Sequence, residues 1–375
     1  MRIDVVDPPA YTPPYDHALC AALARAGAEV DLVTSRFAYG PVPPTAGYRR
    51  RESFYRLDVG APGSRLRRLA KLAEHPVDMA LYRRGAMADV VHFQWLTVPA
   101  IDSRLLPDRS PLVVTAHDVL AREPRPGQRR AQGRIYRRAD AVIVHSQAGR
   151  ARLVDEIGVD PGIVHVIRHG AFEHLTRLED ERPLPRELAR VEGPVVLCFG
   201  LMRPYKGIDV LLDAWRGIAD AELWLVGLPK MDIRELRARS PAGVRWIPRF
   251  VGDLEIPALF RRADLVVLPY REIDQSGVLF TALAFERPLL LSAVGGFPEL
   301  ADAGAARLVT PGDPQDLHAG LEHLLARPDE RAALSAAART AVAGDYGWDA
   351  IARRTLELYG RLRGETRFSG TRGTP

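Results

Sequence analysis

The sequence is poor in cysteine and lysine and has no long apolar run. Cys20 and Cys198 both sit in apolar surroundings without metal-ligand spacing, which argues against a disulfide framework and predicts buried thiols in a reducing cytoplasm. No stretch approaches the roughly 18 to 20 consecutive apolar residues that a membrane helix needs. The first residues, MRIDVVDPPAY, enter a strand pattern at once and indicate no signal peptide.

The composition is otherwise that of a globular protein with an excess of arginine. A length of 375 residues, 47% hydrophobic and 26% charged, predicts two α/β domains. The net charge of +5 comes from 52 basic and 47 acidic residues, and the basic ones are almost all Arg, clustered at residues 49–51, 65–71 and 129–138. These clusters suit phosphate-bearing partners, including anionic lipid. The interspersed acidic residues favour an ordinary solvated surface instead.

The hydrophobic pattern divides into two α/β series. Apolar strands such as PLVVTAHD (111–118) and AVIVHS (141–146) alternate with helical stretches in the first series, as VVLCFG (195–200) and DLVVLPY (264–270) do in the second. Such strands predict parallel sheets covered on both faces. We expect domains at residues 1–172 and 194–345, a hinge at 173–193, a helix at 346–364 and a flexible tail at 365–375. Ligands of open parallel sheets bind beyond the carboxyl ends of the strands, which predicts a cleft site.

The strongest motif is FGLMRPYKGIDVLLDAW, residues 199–215. A strand ends at Gly200, a loop carries Arg203 and Lys206, and Gly207 admits the turn into a helix. Two cations at a helix start suit a diphosphate, Arg as a planar fork and Lys as a point charge. An exposed basic loop without a ligand is the alternative.

Together with two later stretches, this motif resembles the retaining glycosyltransferases of the group 1 family, which have the GT-B fold. Gly200, Arg203, Lys206 and Gly207 match the family pattern G-x-x-x-x-x-K-G. RFVGDLEIPALFRRADLVVLPY and ALAFERPLLLSAVGGFPEL are similar to the stretches that follow it, and the resemblance spans nearly the whole chain. It implies two Rossmann-like domains facing a cleft, with a carboxyl-terminal helix that crosses back to the first domain.

The resemblance implies transfer of a sugar from a UDP-, GDP- or dTDP-linked donor to an acceptor hydroxyl, with retention of configuration. The acceptor would be a glycan, a glycolipid or a small molecule. Arg203 and Lys206 would stabilise the departing diphosphate, and the lack of an Asp-x-Asp pair after a strand predicts a metal-independent reaction without a cofactor. His117, at a strand end, would contact the donor sugar, with a hydrogen bond to neighbouring backbone as the less favoured alternative.

The predicted location is the cytoplasm, with a peripheral contact at the anionic inner membrane face suggested by the Arg clusters of the first domain. No nucleic-acid recognition motif is present, so nucleic-acid binding is not expected.

The sequence departs from the family where two glutamates usually stand, because Ile273 and Thr281 occupy those positions. In their place, Gln275, Ser276 and Gly277 form a small loop before a helix whose first turn offers backbone N–H groups to a phosphate. The QSG version resembles some branches of the family. We expect these residues, Thr281 and a backbone-lined base pocket around Arg249 and Phe250 to bind the donor.

The first loop, DPPAYTPPYDHAL, has four prolines and no glycine, unlike the Gly-rich loop common in the family. A stiff loop of this kind would present Tyr11 and Tyr15 to stack on an acceptor, or would pack them as core. Trp95 and His169 are further acceptor candidates at strand ends. Loss of both glutamates keeps a second hypothesis open, a non-catalytic protein that binds a nucleotide or serves as a scaffold.

Overall fold

The computed structural model describes residues 1–38, 40, 42–57, 59–61, 63–120 and 126–364. The chain forms two compact units. The first comprises Met1–Arg168 and the carboxyl-terminal helix that begins at Trp348, and the second comprises His169–Gly347. The tail expected at residues 365–375 lies outside the described residues.

The first unit is built on a seven-stranded parallel sheet in the order β3-β2-β1-β4-β5-β6-β7. Its strands are β1 (Arg2–Asp7), β2 (Glu29–Ser35), β3 (Arg49–Phe54), β4 (Val90–Phe93), β5 (Leu112–Thr115), β6 (Ala141–Val144) and β7 (Val164–Val166). The helices between them are α1 (Pro13–Arg25), α2 (Arg65–Gly85), α3 (Pro99–Leu105), α4 (Gln128–Arg138) and α5 (Gln147–Ile157).

The second unit has a six-stranded parallel sheet in the order β10-β9-β8-β11-β12-β13. Its strands are β8 (Val195–Phe199), β9 (Glu222–Val226), β10 (Val244–Ile247), β11 (Leu265–Leu268), β12 (Leu289–Ser292) and β13 (Ala306–Val309). Its helices are α6 (Ile208–Ala214), α7 (Arg234–Ala238), α8 (Ile256–Arg262), α9 (Gly277–Ala284), α10 (Phe297–Asp302), α11 (Pro314–Ala326) and α12 (Pro328–Ala343). The last helix of the chain, α13 (Trp348–Leu362), returns to the first unit.

The strand order reverses between β1 and β4 in the first sheet and between β8 and β11 in the second. In open parallel sheets, ligands bind beyond the carboxyl ends of the strands at this switch point, because the two connections leave in opposite directions. The Pro-rich loop follows β1 and the Arg203–Lys206 loop follows β8. The topology therefore places both candidate loops at a switch point.

Helix α13 is held to the first unit by packing and by polar contacts. Trp348 packs edge-on against Tyr15 at 5.1 Å between ring centroids, and Tyr359 is fully buried with its hydroxyl 2.6 Å from Nδ1 of His92. Arg25 of α1 pairs with Asp349 at 2.7 Å. The predicted fold class, two parallel-sheet α/β domains with a returning terminal helix, is confirmed.

The segment expected to be a hinge, residues 173–193, belongs to the second unit. It contains two short 3₁₀ turns, Glu173–Arg177 and Arg186–Leu188, and Leu175 and Leu188 are buried in that unit's core. The charged, Pro-containing sequence of this segment did not indicate that these two leucines are buried. The segment is therefore packed against the second unit over part of its length.

Candidate functional site

Lys206 is the central cation of the second unit's switch point. Lys206 is only 7% exposed, and its ammonium lies 4.8 Å from the centroid of the ring of Tyr270, which follows β11. Gly200 has φ +105°, and a Cβ on it would lie 3.0 Å from Nζ of Lys206 and 3.0 Å from Val278 in the first turn of α9. Three segments, those after β8, after β11 and at the start of α9, therefore meet around one ammonium group.

The loop between Gly200 and α6 is held close to the backbone beyond β11. Gly207 has φ +67°, and a Cβ there would come within 2.0 Å of the Pro269 carbonyl oxygen, so only glycine fits. Arg271 donates to the Pro204 carbonyl at 2.9 Å and to Asp209 at 2.9 Å. Although partial burial opposes it, this guanidinium holds the pKa of Asp209 below its ordinary value.

Arg203 is half-buried at the start of the 3₁₀ turn Pro204–Lys206, in an extended conformation with φ −136°. Arg271, which the sequence analysis did not single out, positions the loop that carries both predicted cations. In the sequence, only its position directly after Tyr270, near the end of the buried strand β11, could have pointed to Arg271. Its two contacts show how the loop that carries Arg203 and Lys206 is fixed from the neighbouring connection.

The QSG loop adjoins this cluster. Ser276 is 5% exposed and its hydroxyl lies 3.4 Å from that of Tyr270, while Gly277 begins α9. Thr281 is buried and donates to the Gly277 carbonyl at 3.0 Å, so it serves the helix. Gln275 is half-buried.

Ile273, at the position of the first missing glutamate, is buried in the hydrophobic core. A Cβ on Gly295 would come within 1.9 Å of the Ile273 carbonyl oxygen, so the turn formed by Gly295 and Gly296 packs directly on this segment. Ile273 is therefore a core residue at the position where a carboxylate was expected.

The residues predicted for the base pocket, Arg249 and Phe250, have different surroundings from the acceptor candidate His169. Arg249 is exposed and pairs with Glu255 at 2.6 Å, and Phe250 is 66% exposed. His169 is buried and stacks on Phe280 of α9 at 3.9 Å, with its Nδ1 2.8 Å from the Gly170 carbonyl. His169 therefore packs against the helix that follows the QSG loop and is not an open acceptor surface.

In the first unit, His117 follows β5 and belongs to a hydrogen-bonded row of side chains. Its Nε2 lies 3.1 Å from the Gln94 amide oxygen, and its Nδ1 lies 3.1 Å from Nε2 of His145. His145 lies 2.9 Å from the Ile167 carbonyl through Nδ1, so Nδ1 carries the proton. Burial lowers the pKa of His145 to about 4, which keeps it neutral at pH 7. Nε2 of His145 therefore accepts from Nδ1 of His117, and the Gln94 amide oxygen accepts from its Nε2, so the two acceptors fix the orientation of the His117 ring.

Aromatic side chains surround the His117 ring. Trp95 stacks on it at 4.9 Å between centroids and 11° between planes, and Tyr15 meets it edge-on at 4.7 Å. Tyr11 lies 4.5 Å from Trp95 and is 67% exposed. Trp95 also donates from its indole nitrogen to Thr12 at 2.8 Å. Tyr11, Trp95 and His117 thus form one stack that begins at the surface.

The prediction that Tyr15 offers a stacking surface is wrong, because Tyr15 is only 3% exposed. Helix α1 already begins at Pro13, with proline in its first turn, so Tyr15 lies on a helix and faces inward. The prolines were interpreted as a stiff loop, but proline is equally suited to the first turn of a helix.

A cavity of about 140 Å³ adjoins the stack. Its walls include Trp95, His117 and Asp118 on the strand side and Gln128, Gln132 and Tyr136 on α4. Amide, carboxylate and aromatic groups are the side chains that bind sugar hydroxyls and sugar ring faces in proteins. The cavity is therefore suited to a small polyhydroxylated group.

Two buried carboxyl groups lie beneath the Pro-rich loop. Asp7 ends β1 and accepts the backbone N–H of Tyr11 at 2.7 Å, and Asp16 lies on α1 next to Tyr15. Burial raises the pKa of both, that of Asp16 most strongly because the Asp7 carboxylate is beside it. The Asp7 carboxylate also accepts the backbone N–H of Thr12 at 3.4 Å, so it ties the loop to the end of β1.

Among the described residues, no group of three or more His, Cys, Asp or Glu side chains could hold a metal ion. Cys20 and Cys198 are free and buried, as predicted. In the same part of the chain, no helix is both long enough and apolar enough to cross a bilayer.

Two family models match the chain, one in each unit. Residues 15–171 match the model described as Glycosyltransferase Family 4, and residues 193–327 match that described as Glycosyl transferases group 1. The two matches together cover most of the chain. Each unit thus matches a model of a glycosyltransferase family, and the two units have the architecture of the two domains of the GT-B fold.

Three similar proteins illustrate the range of the family. A GDP-mannose:glycolipid 4-beta-D-mannosyltransferase of Xanthomonas campestris pv. campestris is 33% identical over 188 residues, which is 48% of this chain and 50% of that protein. A D-inositol 3-phosphate glycosyltransferase of Salinispora arenicola is 30% identical over 285 residues, 67% of this chain and 63% of the relative. The crystal structure of Anabaena Alr3699/HepE in complex with UDP-glucose has a TM-score of 0.70 at 19% identity, covering 96% of this chain and all of that one. The chain thus spans half to just under two thirds of these two curated relatives.

Proposed function

We propose that this chain is a retaining, metal-independent glycosyltransferase that moves a sugar from a nucleoside-diphosphate donor to an acceptor hydroxyl. The observation that carries the proposal is the Lys206 ammonium, buried at the switch point between Gly200, the Tyr270 ring and the first turn of α9. A buried cation beside a helix start is suited to a diphosphate. The family, with a GDP-mannose-dependent relative and a UDP-glucose-bound neighbour, agrees with such a donor.

In the proposed reaction, the bond between the anomeric carbon and the diphosphate breaks, and the acceptor oxygen bonds to the same face of the sugar. Negative charge accumulates on the departing diphosphate. Lys206 and Arg203 stabilise that charge, together with the N–H groups at the start of α9, where Ser276 and Gly277 lie. Fixed charges serve this role well because they need no rearrangement as the bond breaks.

Residues of the first unit would bind the acceptor and the transferred sugar. His117 contacts the sugar, held in one orientation by His145. Tyr11 and Trp95 provide an aromatic surface at the mouth of the cavity, which accepts the hydroxyl-bearing part of the acceptor. The acceptor is a glycan, a glycolipid or a small polyhydroxylated molecule, and the relatives name a glycolipid and an inositol phosphate. The proposal also includes a peripheral contact with an anionic membrane.

The test is a screen of UDP-, GDP- and dTDP-linked sugars for thermal stabilisation, donor hydrolysis and transfer, with and without a chelator. A donor at a hundred times its Kd should stabilise the folded chain by about 2.7 kcal/mol. NMR of the product would report the anomeric configuration. Arg203→Gln and Lys206→Met should remove turnover. Arg339→Gln on α12, which removes an exposed cation paired with Glu286, should leave turnover unchanged. No stabilisation by any of these donors would refute the proposal.

A second candidate, a non-catalytic nucleotide-binding or scaffold protein, rests on Ile273 and Thr281. Both are buried, and neither supplies the carboxylate that relatives usually place there. This second candidate predicts that the chain binds the donor but neither hydrolyses it nor transfers its sugar to any acceptor. The same screen separates the two, because it measures binding and turnover on the same samples.

A further inference from the structure

Polar side chains lie at alternate positions near the ends of two neighbouring strands in the first unit. His92 lies on β4 and Gln94 directly follows it, while Thr115 ends β5 and His117 lies two residues further on. Residues two apart on a strand face the same side of a sheet, and Phe93 between the first two belongs to the hydrophobic core. All four polar residues are buried, with exposed fractions between 1% and 8%. They must therefore find their hydrogen-bond partners inside the unit.

Helix α13 supplies one of these partners. Tyr359 is fully buried, and its hydroxyl lies 2.6 Å from Nδ1 of His92. Because His92 is the one hydrogen-bond partner of this hydroxyl among the described residues, the hydroxyl donates and Nδ1 accepts. Burial lowers the pKa of His92 to about 3, so the ring is neutral at pH 7 and carries its proton on Nε2, which lies 2.7 Å from the Thr115 hydroxyl. The Tyr359 hydroxyl thus selects the tautomer of His92.

The tautomer of His92 in turn orients the Gln94 amide. The amide nitrogen lies 3.3 Å from Nδ1 of His92. An amide N–H can only donate, so it requires the unprotonated nitrogen that Tyr359 has selected. The amide oxygen is then directed to His117, whose Nε2 donates to it at 3.1 Å. The other tautomer of His92, with its proton on Nδ1, would favour the reversed amide, whose N–H would face Nε2 of His117.

We propose that Tyr359 is a positioning residue for His117: through His92 and Gln94, its hydroxyl keeps the ring in one orientation with a proton on Nε2. The inference rests on the proposed function, in which His117 contacts the sugar. Trp95 stacks on the ring at 4.9 Å and fixes its plane, but stacking does not determine which nitrogen carries a proton. The hydrogen-bonded row that begins at Tyr359 supplies that second restraint.

The other titratable groups around His117 lie outside this row. Tyr15 meets the ring edge-on from α1, His145 bonds its Nδ1, and Asp118 follows it in the chain and lines the same cavity. Burial raises the pKa of Tyr15 and lowers that of His145 to about 4, so both are neutral at pH 7. In the part of the chain that the structure describes, none of the three is a hydrogen-bond partner of Tyr359. A change at Tyr359 therefore reaches His117 through the row.

The first test is an NMR titration of the His117 ring in the free protein, which requires no donor and no turnover. Tyr359→Phe removes the hydroxyl and keeps the ring that packs edge-on against His92 at 5.8 Å. The variant frees His92 to take its other tautomer, so Nε2 of His117 should lose its proton at a pH lower by about half a pH unit or more, about threefold in proton affinity. Tyr82→Phe removes a buried hydroxyl 3.0 Å from Asp4 in the same unit and should leave the titration unchanged. An unchanged titration in Tyr359→Phe would overturn the inference.

The second test is a double-mutant cycle on turnover. Tyr359→Phe should lower kcat/KM about three- to tenfold, the size expected for one lost hydrogen bond, and Tyr82→Phe should leave it near wild type. In a His117→Ala background Tyr359→Phe should cost nothing further, because the side chain that it positions is absent. Gln94→Met, which leaves α13 untouched, should lower kcat/KM at least as much as Tyr359→Phe does.

Two kinetic outcomes would make Tyr359 a purely structural residue and contradict the inference. One is an equal loss of kcat/KM in Tyr359→Phe and Tyr82→Phe, and the other is an undiminished loss in the His117→Ala background. The two tests also separate this inference from the proposed function. A shifted His117 titration in a protein that turns over no donor would contradict the proposed function and leave the positioning of His117 intact.

Discussion

Substituting Gly200 by alanine perturbs the proposed donor site without removing any charged group. The residue has φ +105°, where a side chain is strained, and we expect a loss of about 1 to 2 kcal/mol in the free energy of unfolding. The new Cβ would also stand 3.0 Å from Nζ of Lys206 and 3.0 Å from Val278, so the ammonium and the first turn of α9 must move apart by a few tenths of an ångström. Because a misplacement of about 1 Å costs about a hundredfold in rate, a shift of a few tenths of an ångström should lower turnover about three- to tenfold.

A matched control separates strain from function. Gly217 has φ +88°, and a Cβ there would meet only the His318 ring, at 4.0 Å. Gly217→Ala should therefore cost similar stability with unchanged turnover. Urea unfolding and release of the nucleoside diphosphate would be measured on both variants. If Gly200→Ala loses stability as Gly217→Ala does but keeps wild-type turnover, Lys206 and α9 do not form a donor site of the kind proposed.

Three further predictions concern buried ionisable groups. Burial, with a smaller contribution from neighbouring His145, lowers the pKa of His92 to about 3. The contribution of the neutral buried ring to stability is therefore complete above pH 6.5 and is lost as the pH falls, and at pH 5 the loss is about 2 kcal/mol. His92→Gln should reduce by that amount the difference between the free energies of urea unfolding at pH 7 and at pH 5, and an unchanged difference would contradict the assignment. His145→Phe should lower kcat/KM about tenfold and alter its pH profile, because the His117 ring is no longer held in one orientation. His145→Gln should lower kcat/KM by less than His145→Phe does, and equal effects of the two variants would make His145 purely structural. Burial and the neighbouring Asp7 raise the pKa of Asp16, so wild-type stability falls as pH rises above about 4. Asp16→Asn should therefore be the more stable protein at pH 7 but not at pH 3.5, and the reverse order in chemical unfolding would refute the raised pKa.

The sequence predicted the fold class and the positions of the chemistry-bearing residues because both depend on local pattern. Apolar runs such as PLVVTAHD and VVLCFG contain the buried parallel strands β5 and β8, which place His117 and Lys206 beyond the carboxyl ends of their respective sheets. Gly207 could be assigned to a turn from the motif alone, and Gly200 to the end of a strand. These features need no knowledge of distant contacts.

What the sequence did not reveal depends on which faces meet in three dimensions. The α2 helix was interpreted as a charge cluster, because Arg65, Arg67 and Arg68 dominate its start and its apolar residues face outward. The role of His145 depends on the Ile167 carbonyl, 22 residues away, and on His117, 28 residues away. Arg271 became meaningful only through its contacts with the loop that carries Lys206.

The central claim is that Lys206 and Arg203 bind the diphosphate of the donor. Titration calorimetry of UDP and GDP into the wild-type chain, Lys206→Met, Arg203→Gln and the Arg339→Gln control tests it most directly. Loss of one charge-assisted hydrogen bond, about 1.5 to 3 kcal/mol, should weaken binding of the preferred nucleotide about ten- to a hundredfold in the first two variants and leave the control unchanged. Wild-type affinity in a correctly folded Lys206→Met protein would contradict the claim.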